Sequence, residues 1–347
     1  MPISTAPVCV TGATGYVASQ IVAQLLDAGY SVVGTTRDPE RARREGHITS
    51  LPGAGERLRL VAADLMTPSA FDEAVAGSEY VVHTASPYMT DVEDPQRDLV
   101  DPAVEGTLSV LNACKRAGTV KRMVLTSSFA AITDEPDGSL LDETAWNTKS
   151  TLKRNPYYFS KAQAERAAWQ FMEEREPGFD LVVINPPLIL GPSLIPQLNF
   201  STGVLAGLTN GLWPGIIDIQ WVITDIRDVA TAHIRAFELP TASGRNLAAA
   251  GVRSLRQTVD LLRANGWAEK YRLPSLPLDS ALGSFMVRLA ANFQKPGTRS
   301  YLKTHVGGEF QIDNSKAREE LGIEFRDPDQ TILDTMSDLE EWGHLGK

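Results

Sequence analysis

Residues 7–18 of this 347-residue chain are Pro7-Val8-Cys9-Val10-Thr11-Gly12-Ala13-Thr14-Gly15-Tyr16-Val17-Ala18, and an amphipathic segment follows at 19–28. An apolar run, a glycine turn and an amphipathic segment predict a strand, a tight turn and a helix. Gly12 permits a positive φ, Gly15 lets a pyrophosphate approach the backbone, and Ala18 allows close packing of helix on strand. The stretch therefore predicts a dinucleotide site, with an ordinary tight turn as the alternative.

The start of the predicted helix supplies an attraction for phosphate. Its first N–H groups have no partner inside the helix, and the helix dipole places partial positive charge there. The residues of this stretch that we expect to contact the cofactor are Thr11, Gly12, Thr14, Gly15, Tyr16 and Val17.

The end of the second predicted strand, at 31–37, indicates which dinucleotide binds. A NAD-binding chain places an acidic residue near this point, where it contacts the adenosine ribose. Here the residue is Arg37, and a guanidinium can hold a 2′-phosphate as a planar fork. The charge pattern favours NADP(H), while Asp38 keeps NAD open as the alternative. Three further arginines at 41–44 are expected on a solvated helix face, although one of them could assist.

Composition excludes several classes of protein. A net charge of −10 with 43% hydrophobic residues argues against a nucleic-acid-binding surface and against disorder. No window approaches about 18 consecutive apolar residues, so no membrane span is predicted. The histidines do not fall at metal-ligand spacing, and we expect no metal. Cys9 and Cys114 are expected to be buried thiols, and the absence of a signal peptide predicts a cytoplasmic location.

Apolar strands alternate with helices through the first half of the chain. Further strands are predicted at 57–64, 80–85, 122–128 and 181–186. Strands that lack polar alternation and are separated by helices indicate a parallel sheet buried on both faces, which is an α/β Rossmann doubly wound fold. Ligands of such sheets bind at the carboxyl ends of the strands.

Two of these strand ends supply further candidate contacts with the cofactor. Asp64 and Leu65 could bracket the adenine, with Asp64 accepting a hydrogen bond from its amino group. Thr84-Ala85-Ser86-Pro87 would run beside the ribose and nicotinamide. Asp, Ser and Pro also terminate strands, so a plain turn is the alternative at both places.

Beyond residue 187 the alternation gives way to loops and helices. Residues 224–229 precede and cap a helix that ends at Glu238, and 245–250 is expected to return to the sheet as a strand. Further helices are predicted at 254–265, 279–293, 313–321 and 328–342.

The chain is thereby divided into two parts. We assign 1–187 and 220–250 to the dinucleotide-binding domain. Residues 188–219 and 251–347 are assigned to a smaller, mixed C-terminal lobe that binds the substrate.

We expect catalytic side chains in the stretch Tyr157-Tyr158-Phe159-Ser160-Lys161. On a helix, Tyr157 and Lys161 share one face, with about 5 to 6 Å between their Cβ atoms. A phenol has a pKa near ~10, and a fixed ammonium beside it favours the phenolate and lowers that pKa. Such a pair can transfer protons to a carbonyl oxygen. The spacing also occurs by chance, so a half-buried Tyr and a solvated Lys are the alternative.

The fifth predicted strand ends in Thr126-Ser127-Ser128. A hydroxyl at this edge could hydrogen-bond a carbonyl oxygen and stabilise charge that develops on it. Ser127 and Ser128 cannot both face the cleft, because successive side chains of a strand point to opposite sides. The alternative is that both hydroxyls cap backbone groups.

These motifs resemble the extended short-chain dehydrogenase/reductases. The glycine turn, the two serines and the Tyr–Lys pair occur in the order and spacing of that family, across nearly the whole chain. The chain is most similar to the branch of dihydroflavonol reductases, cinnamoyl-CoA reductases and the fungal methylglyoxal/isovaleraldehyde reductase. The stretches that carry this likeness are 83–87, 125–128 and Asn185-Pro186.

The resemblance implies a role for each group. Ser128, directly before Phe129-Ala130-Ala131, is implied as the catalytic serine, Tyr157 as the acid/base, and Lys161 as the residue that holds the nicotinamide ribose. Thr126 and Pro186 join the expected cofactor contacts. The implied reaction is hydride transfer from NADPH to a carbonyl carbon.

Departures from the family limit the substrate. Cinnamoyl-CoA reductases usually carry Asn-Trp-Tyr-Cys-Tyr-Gly-Lys where this chain has Asn155-Pro156-Tyr157-Tyr158-Phe159-Ser160-Lys161, which disfavours a thioester. Flavonoid reductases generally have Asn or Asp where Thr133 stands, which disfavours a dihydroflavonol. We expect an aldehyde or ketone with an apolar or aromatic body. Its pocket could be lined by Phe129, Trp213, Trp221, Phe285, Met286 and Phe293, with core packing as the alternative for several of them.

Two other functions stay open. A sugar-nucleotide epimerase or dehydratase of the same fold would retain NAD and contact a nucleotide diphosphate, for which Arg37 is the wrong residue. A non-enzymatic NADPH-binding protein would have no need of a Ser, Tyr and Lys together. Both a monomer and a homodimer are compatible with this fold.

Overall fold

A computed structural model describes residues 6–86 and 92–346. Its strands, in chain order, are β1 Val8–Thr11, β2 Val32–Thr36, β3 Leu58–Ala62, β4 Tyr80–His83, β5 Arg122–Thr126, β6 Asp137–Leu141, β7 Asp180–Ile184, β8 Leu188–Leu190, β9 Ile216–Ile217, β10 Gln220–Asp225, β11 Gly244–Asn246, β12 Gly251–Ser254, β13 Pro277–Leu278 and β14 Glu309–Ile312. Seven of them form a parallel sheet in the order β11-β7-β5-β4-β1-β2-β3. The order reverses between β1 and β4, which confirms the predicted Rossmann doubly wound fold.

Helices cover both faces of this sheet. In chain order the helices are α1 Tyr16–Asp27, α2 Pro39–Glu45, α3 Ala54–Arg57, α4 Asp72–Val75, α5 Asp101–Ala117, α6 Pro156–Arg175, α7 Phe200–Thr209, α8 Ile226–Glu238, α9 Leu255–Ala264, α10 Trp267–Lys270, α11 Ala281–Ala290, α12 Pro296–His305, α13 Ser315–Leu321 and α14 Pro328–Glu341. Val8 and Val10 of β1 pack with α1 and α8, whereas Cys9 packs with α5 and α6. This alternation produces two separate apolar layers.

The C-terminal lobe has its own small sheet and apolar core. Strands β12, β10 and β8 pair in that order, and Trp221 and Ile223 of β10 pack with helices of the lobe. Residues 220–225, which we assigned with the rest of 220–250 to the dinucleotide-binding domain, therefore pair outside the large sheet. The predicted return of the chain at 245–250 does occur, because β11 pairs with β7 in parallel.

Capping side chains set the starts of helices in both parts of the chain. Asp225 accepts a hydrogen bond from the N–H of Arg227 at the start of α8, and Ser254 forms a capping box with Gln257 on α9. The helix α12 was not predicted. Tyr301 and Leu302 of this helix pack on the apolar core of the lobe, whereas Ser300 and Thr304 contact Asn155 through their hydroxyls, so the apolar stripe is short. Within the described residues, no helix is long and apolar enough to cross a bilayer.

Close packing of β2 against the glycine turn generates a first prediction. A Cβ atom at Gly34 would lie 2.7 Å from the Cβ atom of Ala13. Gly34→Ala should lower the free energy of unfolding by about 1–3 kcal/mol, as overpacking does, and should weaken binding of a dinucleotide. Urea unfolding and a binding titration measure the two effects. Gly55→Ala is the matched control, because a Cβ atom there meets nothing within 4 Å; equal effects of both substitutions would contradict the packing argument.

Candidate active site

The glycine turn has the close approach that its sequence predicts. Gly12 has φ +66°, and a Cβ atom there would lie 3.2 Å from the Cα atom of Ala85. Its N–H donates to Oγ1 of Thr35 at 3.1 Å, and the N–H of Gly15 donates to the carbonyl of Gly12 at 2.8 Å. Gly15 is exposed at the start of α1, where no side chain caps the helix. The turn thus leaves bare backbone at a helix N-terminus.

Thr11 lies beneath the turn and is fully buried. Its hydroxyl oxygen accepts hydrogen bonds from the N–H groups of Thr84 and Ala85, each at 3.1 Å, and lies 2.8 Å from Nδ1 of His83. The hydroxyl of Thr84 donates to the carbonyl of Thr11. Thr11 and Thr84 therefore use their side chains to join β1 to the segment after β4. In a cofactor site, Thr11 and Thr84 would shape the surface beneath the glycine turn.

The other expected residues of the turn differ in their contacts. The Tyr16 hydroxyl donates to the carbonyl of Gly191 at 2.8 Å, which ties α1 to the loop after β8. Burial raises the pKa of Tyr16 well above its ordinary value. Oγ1 of Thr14 lies 3.5 Å from that of Thr36, and the half-buried Val17 packs against the apolar layer on the α1 side.

Arg37 and Asp38 are both exposed at the end of β2, and Asp38 has a structural role there. The Asp38 carboxylate caps α2 by accepting a hydrogen bond from the N–H of Arg41 at 2.9 Å. Arg41 and Arg43 are paired with glutamates of the same helix, as a solvated face predicts. The structure thus gives Asp38 a capping role that does not require a ribose.

Asp64 and Leu65 follow β3 at the same edge of the sheet. Oδ1 of Asp64 accepts a hydrogen bond from the N–H of Met66 at 2.9 Å, so the carboxylate also forms a turn. Leu65 packs on α5, where a Cβ atom at Gly106 would lie 2.9 Å from Cδ2 of Leu65. Pro87 lies outside the described residues.

The two serines after β5 are separated as the alternation of a strand requires. Ser127 is buried, and its hydroxyl donates to Glu165 at 2.5 Å. The side chain of Ser128 is hydrogen-bonded to Tyr157, and its oxygen also accepts from the N–H of Ala130 at 3.1 Å. Only Ser128 is therefore beside the phenol.

Lys161 completes this group one helical turn after Tyr157. Its Nζ lies 5.7 Å from the centroid of the Tyr157 ring and donates to Oγ of Ser86 at 2.8 Å. The contact places the ammonium nitrogen at the carboxyl end of β4, while Ser128 is at the end of β5. Hydroxyl, phenol and amine are thus brought together at the edge where such sheets bind ligands.

Burial has the largest effect on the pKa values of Tyr157 and Lys161. It raises the pKa of Tyr157 above the ordinary value, and the hydrogen bond with Ser128 opposes that rise only in part. Burial also lowers the pKa of Lys161 to about 8. The expectation that the ammonium makes this phenol more acidic is therefore wrong for this structure, because a low dielectric favours the neutral forms of both groups. A protonated phenol is the state that a proton donor needs.

Thr126 ends β5 and Pro186 follows β7, so both residues lie at this edge of the sheet. Oγ1 of Thr126 is 2.7 Å from Nε2 of His233, whose pKa burial lowers to about 4. The carbonyl of Pro186 accepts a hydrogen bond from the N–H of Phe129 at 2.9 Å. Both residues are therefore fixed by contacts with neighbouring elements.

Sequence reasoning missed a buried ion pair behind the two serines. Oε1 of Glu165 accepts a hydrogen bond from Nε of Arg245 at 2.5 Å, and Oε2 accepts from Ser127 and from Asn185, the latter at 2.8 Å. The guanidinium also donates to the carbonyls of Ala131, Glu143 and Ala145, and it lies over the Trp146 ring with Cζ 3.8 Å from the centroid. The pair joins α6 to the ends of β5, β7 and β11. Glu165 lies four residues after Lys161 in the sequence, which was the available signal.

The six side chains expected to line a substrate pocket do not come together. Phe129, Trp213 and Trp221 pack into apolar clusters, and the two Trp rings lie edge to face with centroids 5.6 Å apart. The other three lie on α11 and the turn after it, and they face solvent: Phe285, Met286 and Phe293. Core packing is therefore the correct interpretation for the first three.

A model of the NAD dependent epimerase/dehydratase family matches residues 8–248, from β1 to beyond β11. The chain belongs to this family. Its membership confirms the resemblance to the extended short-chain dehydrogenase/reductases that the glycine turn and the Tyr–Lys pair indicated.

Members of the family that are similar to this chain cover nearly all of it. Cinnamoyl-CoA reductase CAD2 of Medicago truncatula is 40% identical over 344 aligned positions, and the alignment covers 96% of this chain and 95% of that protein. Tetraketide alpha-pyrone reductase 1 of Arabidopsis thaliana is 38% identical over 348 aligned positions, with 97% of this chain and 96% of that protein covered. The solved structure of yeast methylglyoxal/isovaleraldehyde reductase Gre2 complexed with NADPH has a TM-score of 0.81 at 32% identity, and covers 98% of this chain and 100% of its own. All three are named as reductases.

The buried ion pair generates a prediction about stability. Arg245→Met should lower the free energy of unfolding by about 3–5 kcal/mol, because it leaves the Glu165 carboxylate buried without its cation. The double variant Arg245→Met/Glu165→Met should recover part of that loss, since no unpaired charge remains. Urea unfolding measures both. Arg59→Met, which breaks the exposed pair with Glu73, is the control and should change stability far less. A small effect of Arg245→Met would show that the pair does not hold these elements together.

Proposed function

We propose that this chain reduces an aldehyde or ketone with an apolar or aromatic body to the alcohol, with Ser128, Tyr157 and Lys161 as its catalytic residues. The chain is an NADP(H)-dependent oxidoreductase that acts on carbonyl groups, as a member of a group of reductases of which one solved example holds NADPH. The observation that carries the proposed roles is the hydrogen bond between Tyr157 and Ser128 next to Lys161.

The residues at the carboxyl edge of the sheet fit a dinucleotide phosphate. Gly12 and Gly15 leave bare backbone at the start of α1, where N–H groups can bind a pyrophosphate. Arg37 is exposed where a 2′-phosphate would lie, and the acid that could compete for a ribose, Asp38, caps α2. When bound, the cofactor supplies the hydride.

The protein's own groups act on the substrate oxygen. Hydrogen bonds from Ser128 and Tyr157 would polarise a carbonyl and stabilise the negative charge that develops on its oxygen. Tyr157, kept protonated by burial, then transfers its proton to that oxygen. Lys161, with a pKa of about 8, holds a proton at neutral pH that it can supply in turn.

The finer parts of the proposal have separate support. Two relatives are named for cinnamoyl-CoA and for a tetraketide alpha-pyrone, which favours a substrate whose carbonyl adjoins an aromatic or conjugated body.

Cys9 and Cys114 are buried free thiols, which suits the reducing cytoplasm. The assembly is proposed to be a monomer or a homodimer.

A sugar-nucleotide epimerase is the second candidate, because the family description includes epimerases. Such an enzyme regenerates its NAD within each cycle and keeps it bound. Denaturing the purified protein and identifying the released nucleotide separates the two functions. Stoichiometric NAD would support the epimerase, and NADP(H) would support the reductase.

Removing the phenol tests the proposed function directly. Tyr157→Phe should retain its affinity for NADPH but fall below about a tenth of the wild-type turnover, a loss of at least ~1.4 kcal/mol of transition-state stabilisation. The assay is NADPH oxidation with a panel of aldehydes, diketones, aryl ketones, flavonoids and a cinnamoyl thioester. Tyr271→Phe, in which the lost hydroxyl contacts Glu340 away from the site, is the control. Turnover of Tyr157→Phe above about a tenth of the wild-type rate would rule out the acid role.

Reversing one charge tests the assignment of NADP(H). Arg37→Asp should invert the preference between NADPH and NADH, because a carboxylate repels the 2′-phosphate and can accept hydrogen bonds from a ribose. The ratio of kcat/KM for the two cofactors measures this preference. Arg41→Asp carries the same charge change on a residue paired with Glu45 and should leave the ratio nearly unchanged. If Arg41→Asp inverts the ratio and Arg37→Asp does not, another arginine binds the phosphate.

A further inference from the structure

Asn155, which is buried, connects the start of α6 to the C-terminal lobe. Its backbone N–H donates to Oγ of Ser300 at 2.9 Å, and its side-chain Nδ2 donates to Oγ1 of Thr304 at 3.1 Å. Both acceptors lie on α12. Nδ2 also donates to the buried carboxylate of Asp134 at 3.2 Å. A polar contact therefore joins the lobe to the helix that carries Tyr157 and Lys161.

The backbone conformation of Asn155 sets the direction in which α6 begins. The contacts that hold Asn155 therefore affect that direction. Its φ of 49° and ψ of 62° lie in the left-handed region, which Asn tolerates better than most residues other than glycine. Pro156 follows at the first helical position, where its fixed φ suits the helix. The chain thus turns sharply two residues before Tyr157. The partners of Asn155 determine how the helix leaves that turn.

A second contact between α12 and α6 lies beside the phenol. The hydroxyl of Tyr158 is 3.4 Å from Nε2 of His305, and the rings of Tyr157 and Tyr158 lie edge to face with centroids 6.1 Å apart. His305 in turn stacks on Tyr301 with centroids 4.1 Å apart. The ring of Tyr158 is therefore enclosed between the catalytic phenol and the lobe.

We infer that Asn155 and its acceptor Thr304 are positioning residues, through which the C-terminal lobe places the Tyr157 phenol against Ser128 and Lys161. The inference rests on the proposed role of Tyr157 as the acid. Neither residue touches the reacting atoms. Their effect is on geometry, and a misplacement of about 1 Å can cost on the order of 100-fold in rate.

Two substitutions remove the contact from opposite sides. Asn155→Gly keeps the left-handed backbone available but deletes the side-chain donor, and Thr304→Val deletes its acceptor with little change in shape. Each should lower kcat by about tenfold or more and change KM and the Kd for NADPH by less than about twofold, because substrate and cofactor contacts are untouched. Ser337→Ala, which removes a hydroxyl bonded within α14, is the control and should leave kcat unchanged. Assays are run well below the melting temperature of each variant.

A double-mutant cycle with Tyr157→Phe distinguishes positioning from a general structural role. If Asn155 acts through the phenol, Asn155→Gly should cause little further loss in the Tyr157→Phe background. The same fold loss in both backgrounds, or wild-type kcat in Asn155→Gly and Thr304→Val, would overturn the inference. If Tyr157→Phe itself retains full turnover, the proposed function fails, and the inference fails with it. An inactive Tyr157→Phe with a fully active Asn155→Gly overturns the inference alone.

Discussion

A parallel sheet brings the carboxyl ends of its strands to one edge, and the whole candidate site depends on that constraint. The glycine turn follows β1, Arg37 follows β2, Ser86 follows β4 and Ser128 follows β5. These residues are far apart in the chain and reach the same edge only because β1, β2, β4 and β5 run in the same direction through one sheet. A ligand lying along this edge can contact all of them at once.

The helix α6 brings the proposed catalytic side chains of Tyr157 and Lys161 to this edge. The regular spacing of residues along the helix explains why one helix can do so. Tyr157, Lys161 and Glu165 recur every four residues and so lie on one face. The first meets Ser128, the second meets Ser86, and the third forms the buried ion pair with Arg245. The ion pair fixes the far part of this face to the sheet, while Asn155 attaches its beginning to the lobe. Tyr157 and Lys161, the proposed catalytic residues of this helix, lie between these two attachments.

Burial controls the electrostatics of the site more than the neighbouring charge does. A phenol and an amine inside a low-dielectric region both favour their neutral forms, so the phenol keeps its proton and the amine can release one near neutral pH. This is the opposite of the simple expectation for a phenol beside a fixed ammonium. A protonated phenol suits the proposed role of Tyr157 as the proton donor in a reduction. The Glu165 carboxylate, by contrast, is compensated by a guanidinium and by three further donors, from Ser127, Asn185 and Trp169.

The sequence alone determined the strands of the large sheet, the glycine turn, the capped helices and the Tyr–Lys face, because each depends on residues close together in the chain. Tertiary structure alone decided where residues 220–225 pair, which serine faces Tyr157, that Phe129 and Trp221 belong to the core, and which partner Glu165 finds. The pKa of Tyr157 belongs to this second group, because desolvation depends on everything that surrounds a group. Local patterns specify elements, but burial and long-range pairing are set only when distant segments pack together.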